Sequence, residues 1–202
     1  MNNLYIAIEG IDGSGKSTFL NALVKELDRK KVDFTTLREP GHGQIGEKIR
    51  DLLLSNEYSV SQRTEALLFA ANRAQLSEDV IKPALSSGKW VFSDRTVISS
   101  LAYQALGRDL GLKEVKMIND FGLDGVWPDK VLLLNLSIEK VKERQIVADR
   151  IGSDKLEFFQ RVRSGYLKLA DEFESKFLVL NATKSIDDNM SSICNWLEID
   201  NS

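Results

Sequence analysis

The stretch EGIDGSGKST, Glu9 to Thr18, constrains this chain more than any other ten residues. Gly10, Gly15, Lys16 and Ser17 stand at the places required by the pattern Gly, four residues, Gly, Lys, Ser or Thr. An apolar run precedes the loop and a helical pattern follows it, which is the context such a loop needs between strand and helix. The glycines let the backbone curl so that successive N–H groups face phosphate oxygens, and the helix starting around Ser17 adds its positive N-terminal dipole. Lys16 would reach the outer phosphates of a nucleoside triphosphate, and the Ser17 hydroxyl would ligate magnesium. Gly10, Ile11, Asp12, Gly13, Ser14, Gly15, Lys16, Ser17 and Thr18 are therefore expected around the triphosphate. A glycine-rich turn with no ligand is the plainer alternative. The loop alone leaves open whether the triphosphate drives motion, acts as a switch or is spent on a second substrate.

Short apolar runs recur at 4–9, 33–37, 89–93, 130–136 and 176–182, most of them continuous rather than alternating. That suits strands buried on both faces of a parallel sheet. Helical patterns fill the intervals at 17–30, 44–55, 61–87 with a disturbance at Pro83, 97–106, 113–123, 138–146, 155–173 and 186–197. Right-handed crossovers would place these helices on both sides of the sheet. The fold expected is an α/β P-loop NTPase, three layers α/β/α around a five-stranded parallel sheet. No repeat or linker interrupts the 202 residues, so 1–202 reads as one domain.

With a net charge of −3 the chain carries no basic footprint for coating nucleic acid, and small acidic ligands are the expected partners. The single cysteine, Cys194, can form neither an internal disulfide nor a thiolate metal site. No stretch approaches the roughly 18 consecutive apolar residues of a membrane span, and the start MNNLYIAIEG does not resemble a secretory signal. A reducing cytoplasm, with no membrane partner, is the expected setting.

The run WVFSDR ends an apolar strand in Asp94, placed to set a carboxylate beside magnesium, although a helix cap would also use an aspartate there. Arg95 follows where a motor ATPase would carry a second acid to polarise water. An arginine suits clamping a phosphate on an acceptor, which favours transfer over hydrolysis. No Asn-Lys-x-Asp stretch is present for reading guanine. LREPGHG repeats the theme after the second strand: Arg38 can present a cation to the same crevice, with Pro40 and Gly41 shaping the turn. The lone histidine, His42, reads as an ordinary loop residue.

Taken together, EGIDGSGKST, REPG, LLFAANRAQ, IKPAL, SDR and AYQ resemble, in order and spacing, the bacterial type of thymidylate kinase over nearly the whole chain. The resemblance implies transfer of the γ-phosphoryl of ATP to thymidine 5′-monophosphate (dTMP), with Mg2+, usually by a homodimer. It further implies that Phe69 stacks on the thymine ring and that Arg73 hydrogen-bonds its edge. Residues four apart share a helix face, which agrees with that pairing. Ser100, Tyr103 and Gln104 would close the other side of the nucleoside, Asp12 would touch the sugar 3′-hydroxyl, and Arg38 and Arg95 would hold the acceptor phosphate. The catalytic set is then Lys16, Asp94, Arg95 and a lid arginine, with Ser17 and Asp94 as metal ligands.

Departures from the family pattern are His42 and Gly43 after REPG and Thr96 after Asp94 and Arg95. The lid is also short and poor in arginine. Some members carry an arginine in the phosphate loop where Gly13 stands here; a mobile lid at 145–155 is expected to supply that cation, with Arg150 as first candidate and Arg144 as second. Two rivals remain open at this point, a kinase of another nucleoside monophosphate and a P-loop regulatory ATPase.

Overall fold

The computed structural model describes residues 3–143, 150–151 and 156–199. Strands β1 (Tyr5–Glu9), β2 (Phe34–Arg38), β3 (Trp90–Asp94), β4 (Lys130–Asn135) and β5 (Phe177–Asn181) form one five-stranded sheet in the order β2-β3-β1-β4-β5. Every adjacent pair is parallel. The strand at its centre, β1, is buried at every residue, whereas β2 at the edge keeps only Leu37 fully inside. Strands covered on both faces need continuous apolar side chains, and an edge strand does not.

The helices among the described residues are α1 (Lys16–Arg29), α2 (Gly43–Leu54), α3 (Gln62–Leu76), α4 (Lys82–Ser86), α5 (Val97–Ser100), α6 (Leu112–Leu123), α7 (Ile138–Glu143), α8 (Leu156–Glu172) and α9 (Ile186–Leu197). Alternation along β1 divides them between two layers. Ile6 and Ile8 join a core with Phe19, Leu23 and Leu27 of α1 and Ile193 and Leu197 of α9. Ala7 faces the other way, into a core built from Val97, Leu101, Val115, Phe158 and Tyr166. The three-layer arrangement expected from the sequence is thus present.

Two helices depart from the 3.6-residue pattern expected of them. The segment 61–87 is α-helical only to Leu76; Ser77–Ile81 is a π-helical turn, and the Lys82 N–H bonds to Ser77 O. Pro83 then falls in the first turn of α4, where a missing N–H costs no intrahelical bond. The disturbance therefore precedes the proline rather than sitting on it. The segment 97–106 is likewise α-helical only to Ser100, and Leu101–Gly107 is π-helical, with the Arg108 N–H reaching Tyr103 O at 2.8 Å. Helix α8 packs hard against this wide turn: a Cβ on Gly107 would lie 2.8 Å from Val162 Cγ2 and 2.9 Å from Phe158. The expected helices 138–146 and 155–173 appear as α7 and α8, and residues 144–146 and 155 lie outside the described residues.

Strand register sets the position of the site. Asp94 at the end of β3 lies beside Ile8 of β1 and Arg38 of β2. The loops after β1, β2 and β3 consequently open on one edge of the sheet, the carboxyl edge where open α/β sheets hold their ligands. Away from that edge, Leu67 of α3 and Met117 and Phe121 of α6 leave an apolar face exposed, Phe121 being 91% accessible. No helix among the described residues is long and apolar enough to cross a membrane.

Candidate functional site

The loop between β1 and α1 owes its shape to glycine. Gly10, Gly13 and Gly15 have φ of 145°, 78° and 93°, values that disfavour any side chain. At Gly10 a Cβ would also lie 2.6 Å from Leu134 O. The Lys16 Nζ donates to Gly10 O at 3.1 Å and Ile11 O at 3.3 Å. Burial, followed by the charge of Arg95, lowers its pKa to about 8. The Ile11 side chain belongs to the core, so this residue lends the loop only its backbone. Thr18 lies on the rim of the cavity in front of the loop.

Ser17 Oγ donates to Asp94 Oδ2 at 3.3 Å, while buried Asp94 Oδ1 has no hydrogen-bond partner among the described residues. A hydroxyl and a carboxylate with an open oxygen are hard ligands of the kind Mg2+ takes, usually one or two from the protein and the rest from phosphates and water. The donor set fits the ion.

Two cavities meet beside this loop. One runs along Gly13, Gly15, Lys16, Ser17, Thr18 and Arg38; the other is walled by Phe69, Ser99, Ser100, Tyr103 and Gln104. Asp12, Glu39, Arg50 and Arg95 line both. Arg95 stands at φ 74°, a strained value for a side-chain-bearing residue, and is held there by its contacts. Its guanidinium pairs closely with Asp12 and donates to Gly10 O and Tyr103 Oη at 3.3 Å and Ser99 Oγ at 3.2 Å. Burial alone would raise the Asp12 carboxyl, but Arg95, Lys16 and a 3.2 Å bond from Tyr103 Oη hold it below the ordinary range. Burial pushes the Tyr103 hydroxyl well up, so it remains a neutral donor.

A further cavity lies behind the loop, between Ser14, Gly15, Thr18 and Phe19 on one side and Ala182, Lys184, Ser185 and Ile186 of the β5–α9 turn on the other. Sequence reasoning assigned nothing to that turn. Its only local signal was a polar cluster after the last apolar run.

Phe69, Ser100, Tyr103 and Gln104 reach the second cavity as expected, and Arg38 reaches the first, where its exposed side chain pairs with Glu47 at 3.5 Å. Arg73, expected at the base edge, is 1% exposed and stands behind the residues that line the cavity. Its Nε and Nη2 pair with Glu39, its Nη1 donates to Ser100 Oγ at 3.2 Å and closely to Asn119 Oδ1, and its Nη2 reaches Thr96 O at 3.0 Å. Hydrogen bonds thus engage Nε, Nη1 and Nη2, and the ion pair with Glu39 balances the charge. Helical spacing from Phe69 placed both side chains near one face but could not reveal Glu39, which arrives from the β2 loop.

Arg150 bonds away from the phosphate loop. Expected at the transferring phosphate, it turns to the other cavity: its backbone N–H bonds to Leu54 O at 3.2 Å, its Nε to Leu53 O at 2.7 Å and its Nη2 to Glu65 at 2.8 Å. Ile151 beside it joins the cavity wall. The rest of the expected lid at 145–155, with Arg144 before it, lies outside the described residues.

Four residues were missed. Arg50 lines both cavities and donates to Pro40 O at 2.7 Å; Glu39 lines both, its carboxyl raised by burial against the opposing pull of Arg73. Glu9, at the end of β1, accepts from Thr96 N and Oγ1 at 2.8 Å, Ser99 Oγ at 2.6 Å and Tyr166 Oη at 2.8 Å. It pins the turn that presents Arg95, and Thr96, a departure from the family pattern, serves it as a small donor. Glu65, buried in α3, is the fourth. Buried acids inside otherwise apolar helical or strand patterns were the signal available for Glu9 and Glu65.

A family model described as thymidylate kinase matches residues 8–193. Among curated relatives, the thymidylate kinase of Fervidobacterium nodosum is 44% identical over 189 residues, 92% of this chain and 93% of that protein. That of Thermosipho africanus is 42% identical over 96% of this chain and 98% of its own length. That of Lactobacillus acidophilus is 42% identical over 98% and 95%.

Proposed function

The chain belongs to the thymidylate kinase family, and from that premise we propose that it transfers the γ-phosphoryl group of ATP to dTMP, giving thymidine 5′-diphosphate. The observation that carries this reading is the meeting of the two cavities on Asp12, Glu39, Arg50 and Arg95. A phosphate loop opens on one side of these residues and an aromatic-walled slot on the other, so donor and acceptor phosphates would converge on the arginines.

Phosphoryl transfer asks little covalent work of a protein; positioning and charge neutralisation supply the rate. Residues 10–18 hold the triphosphate, with the adenosine end in the cavity against the β5–α9 turn. Lys16 turns from its loop carbonyls to the outer phosphates and takes up full charge there. Mg2+, held by Ser17 and Asp94, would neutralise charge on the phosphate oxygens. Arg38, Arg50 and Arg95 receive the acceptor phosphate, and Asp12, kept ionised by Arg95, accepts from the sugar 3′-hydroxyl. Phe69 stacks on the base, with Ser100, Tyr103 and Gln104 opposite. Arg73 reaches the base edge by exchanging its bond to Ser100 Oγ for the ring carbonyl oxygen.

The enzyme works as a single kinase domain in the cytoplasm, as a homodimer. Support for the dimer is the apolar face of Leu67, Met117 and Phe121 on α3 and α6, which a second copy would cover. A coupled assay across nucleoside monophosphates, with ATP hydrolysis in the absence of acceptor as control, tests the activity. Turnover confined to dTMP supports it; preference for another monophosphate, or hydrolysis without acceptor, overturns it. Sedimentation at micromolar concentration tests the dimer, and a monomer there would refute it.

A further inference from the structure

Glu65 lies on α3, 1% exposed, bonded to Gln104, a lining residue of the second cavity. Its Oε1 accepts from Gln104 Nε2 at 2.9 Å and Arg108 Nε at 3.4 Å, and its Oε2 from Arg150 Nη2 at 2.8 Å and Arg108 Nη2 at 3.4 Å. Every partner is a donor. Two guanidiniums offset its charge, so the side chain does not need Gln104 for neutralisation.

The reverse dependence is strict. A carboxylate only accepts, whereas a glutamine amide has one accepting and one donating end. The end of Gln104 that faces Glu65 must therefore be the amino end. Gln104 also lines the cavity, and its carbonyl oxygen has no hydrogen-bond partner among the described residues. A free amide could turn over and offer a donor; this one cannot without setting carbonyl against carboxylate inside the protein.

From this geometry we infer that Glu65 is a positioning residue for base selection: by holding the amide of Gln104 amino-end inward, it makes the cavity offer an acceptor to the base edge. The partner of that acceptor is a ring N–H. Thymine and uracil carry one at N3, whereas cytosine presents a lone pair at the same place. The inference rests on the acceptor being a pyrimidine nucleotide bound as proposed above. It assigns rejection of cytosine to a residue that touches Gln104 rather than the base. In a buried site an unpaired or opposed polar group costs about tenfold to a hundredfold in affinity.

The test uses three acceptors: dTMP, deoxycytidine monophosphate, and the analogue O4-methyl dTMP, whose N3 carries a lone pair in place of N–H while an oxygen remains at C4. The wild-type enzyme should disfavour the analogue at least tenfold in kcat/KM. Glu65→Gln can donate to Gln104 and let its amide turn, so the analogue penalty should shrink to within about threefold and the preference for dTMP over deoxycytidine monophosphate should fall about tenfold. KM for ATP should not move. The exchange Glu65→Gln with Gln104→Glu restores an acceptor-only group to the cavity and should recover the wild-type penalty.

Equal losses for all three acceptors in folded Glu65→Gln would make Glu65 purely structural and overturn the inference. So would a wild-type enzyme indifferent to the analogue. If Glu65→Gln fails to fold, by circular dichroism and melting, the exchanged pair decides: a folded, discriminating enzyme upholds the inference, and loss of discrimination or of folding overturns it. A wild-type enzyme that ignores dTMP but uses another monophosphate would instead refute the proposed function, before any variant is made.

Discussion

The phosphate loop and the acceptor cavity touch at Asp12 and Arg95, yet they are specified in opposite ways. The loop is ten consecutive residues whose glycines have positive φ and whose lysine bonds to carbonyls five and six positions away. The cavity is assembled from the loop after β2, α2, α3 and the α5 region, tied together by hydrogen bonds such as Arg73 to Ser100, 27 residues apart, and Tyr103 to Asp12, 91 apart. A locally specified site tolerates loss of its central cation without loss of fold. A site made of buried long-range pairs does not separate chemistry from stability in that way.

Lys16→Ala gives the largest effect on the loop side. Turnover should fall about a thousandfold or more, since the lysine neutralises phosphate charge, while circular dichroism and melting remain close to wild type. A folded variant with near-normal turnover would break both the comparison and the kinase assignment. Its counterpart is Arg73→Ala, which leaves Glu39 buried without its cation and should cost about 3–5 kcal/mol of stability in urea unfolding. Burial already raises the Glu39 carboxyl. Without Arg73 its folded pKa would lie further above the unfolded value, so the variant should lose stability as pH rises and regain it towards pH 5. A deficit independent of pH would mean that Glu39 is not the group left stranded.

Arg150→Ala separates the two regions from the cavity side. Because its guanidinium bonds to Glu65 and Leu53 O, the variant should lose less than about tenfold in kcat and raise KM for dTMP. A steep fall in kcat with unchanged KM would return Arg150 to the transferring phosphate. The smallest expected effect is a pH dependence of the loop alone. Free Lys16 has a pKa near 8, lowered chiefly by burial, so its positive charge fades above that pH. kcat/KM for ATP should decline a few-fold between pH 8 and 9, while kcat stays flatter because bound phosphates restore the charge. By linkage the depressed pKa also makes the free protein gain stability from about pH 8 to the unfolded value, as the buried charge is relieved. A flat profile to pH 9.5 would mean that the lysine is not desolvated in the free enzyme.

Much was legible without coordinates because its cause is local or periodic. Continuous apolar runs mark strands covered on both faces, glycine marks the positive-φ turns, and a strand ending in Asp94 marks the carboxyl edge. The α/β/α layering, the phosphate loop and the pairing of Ser17 with Asp94 follow from those signals. Phe69, Ser100, Tyr103 and Gln104 were found through family likeness and all line the cavity.

Tertiary structure alone decided where the long polar side chains end. Arg73 turns behind the wall because Glu39, 34 residues away, meets it there; Arg150 turns from the phosphates because Glu65 and Leu53 O receive it. The widened turn Leu101–Gly107 likewise depends on how α8 packs against it. An arginine or glutamine has several rotamers of nearly equal energy on its own helix, and a partner from a distant segment tips the balance. Periodicity therefore locates the backbone, and burial beside a partner that no local pattern announces selects the direction of the charge.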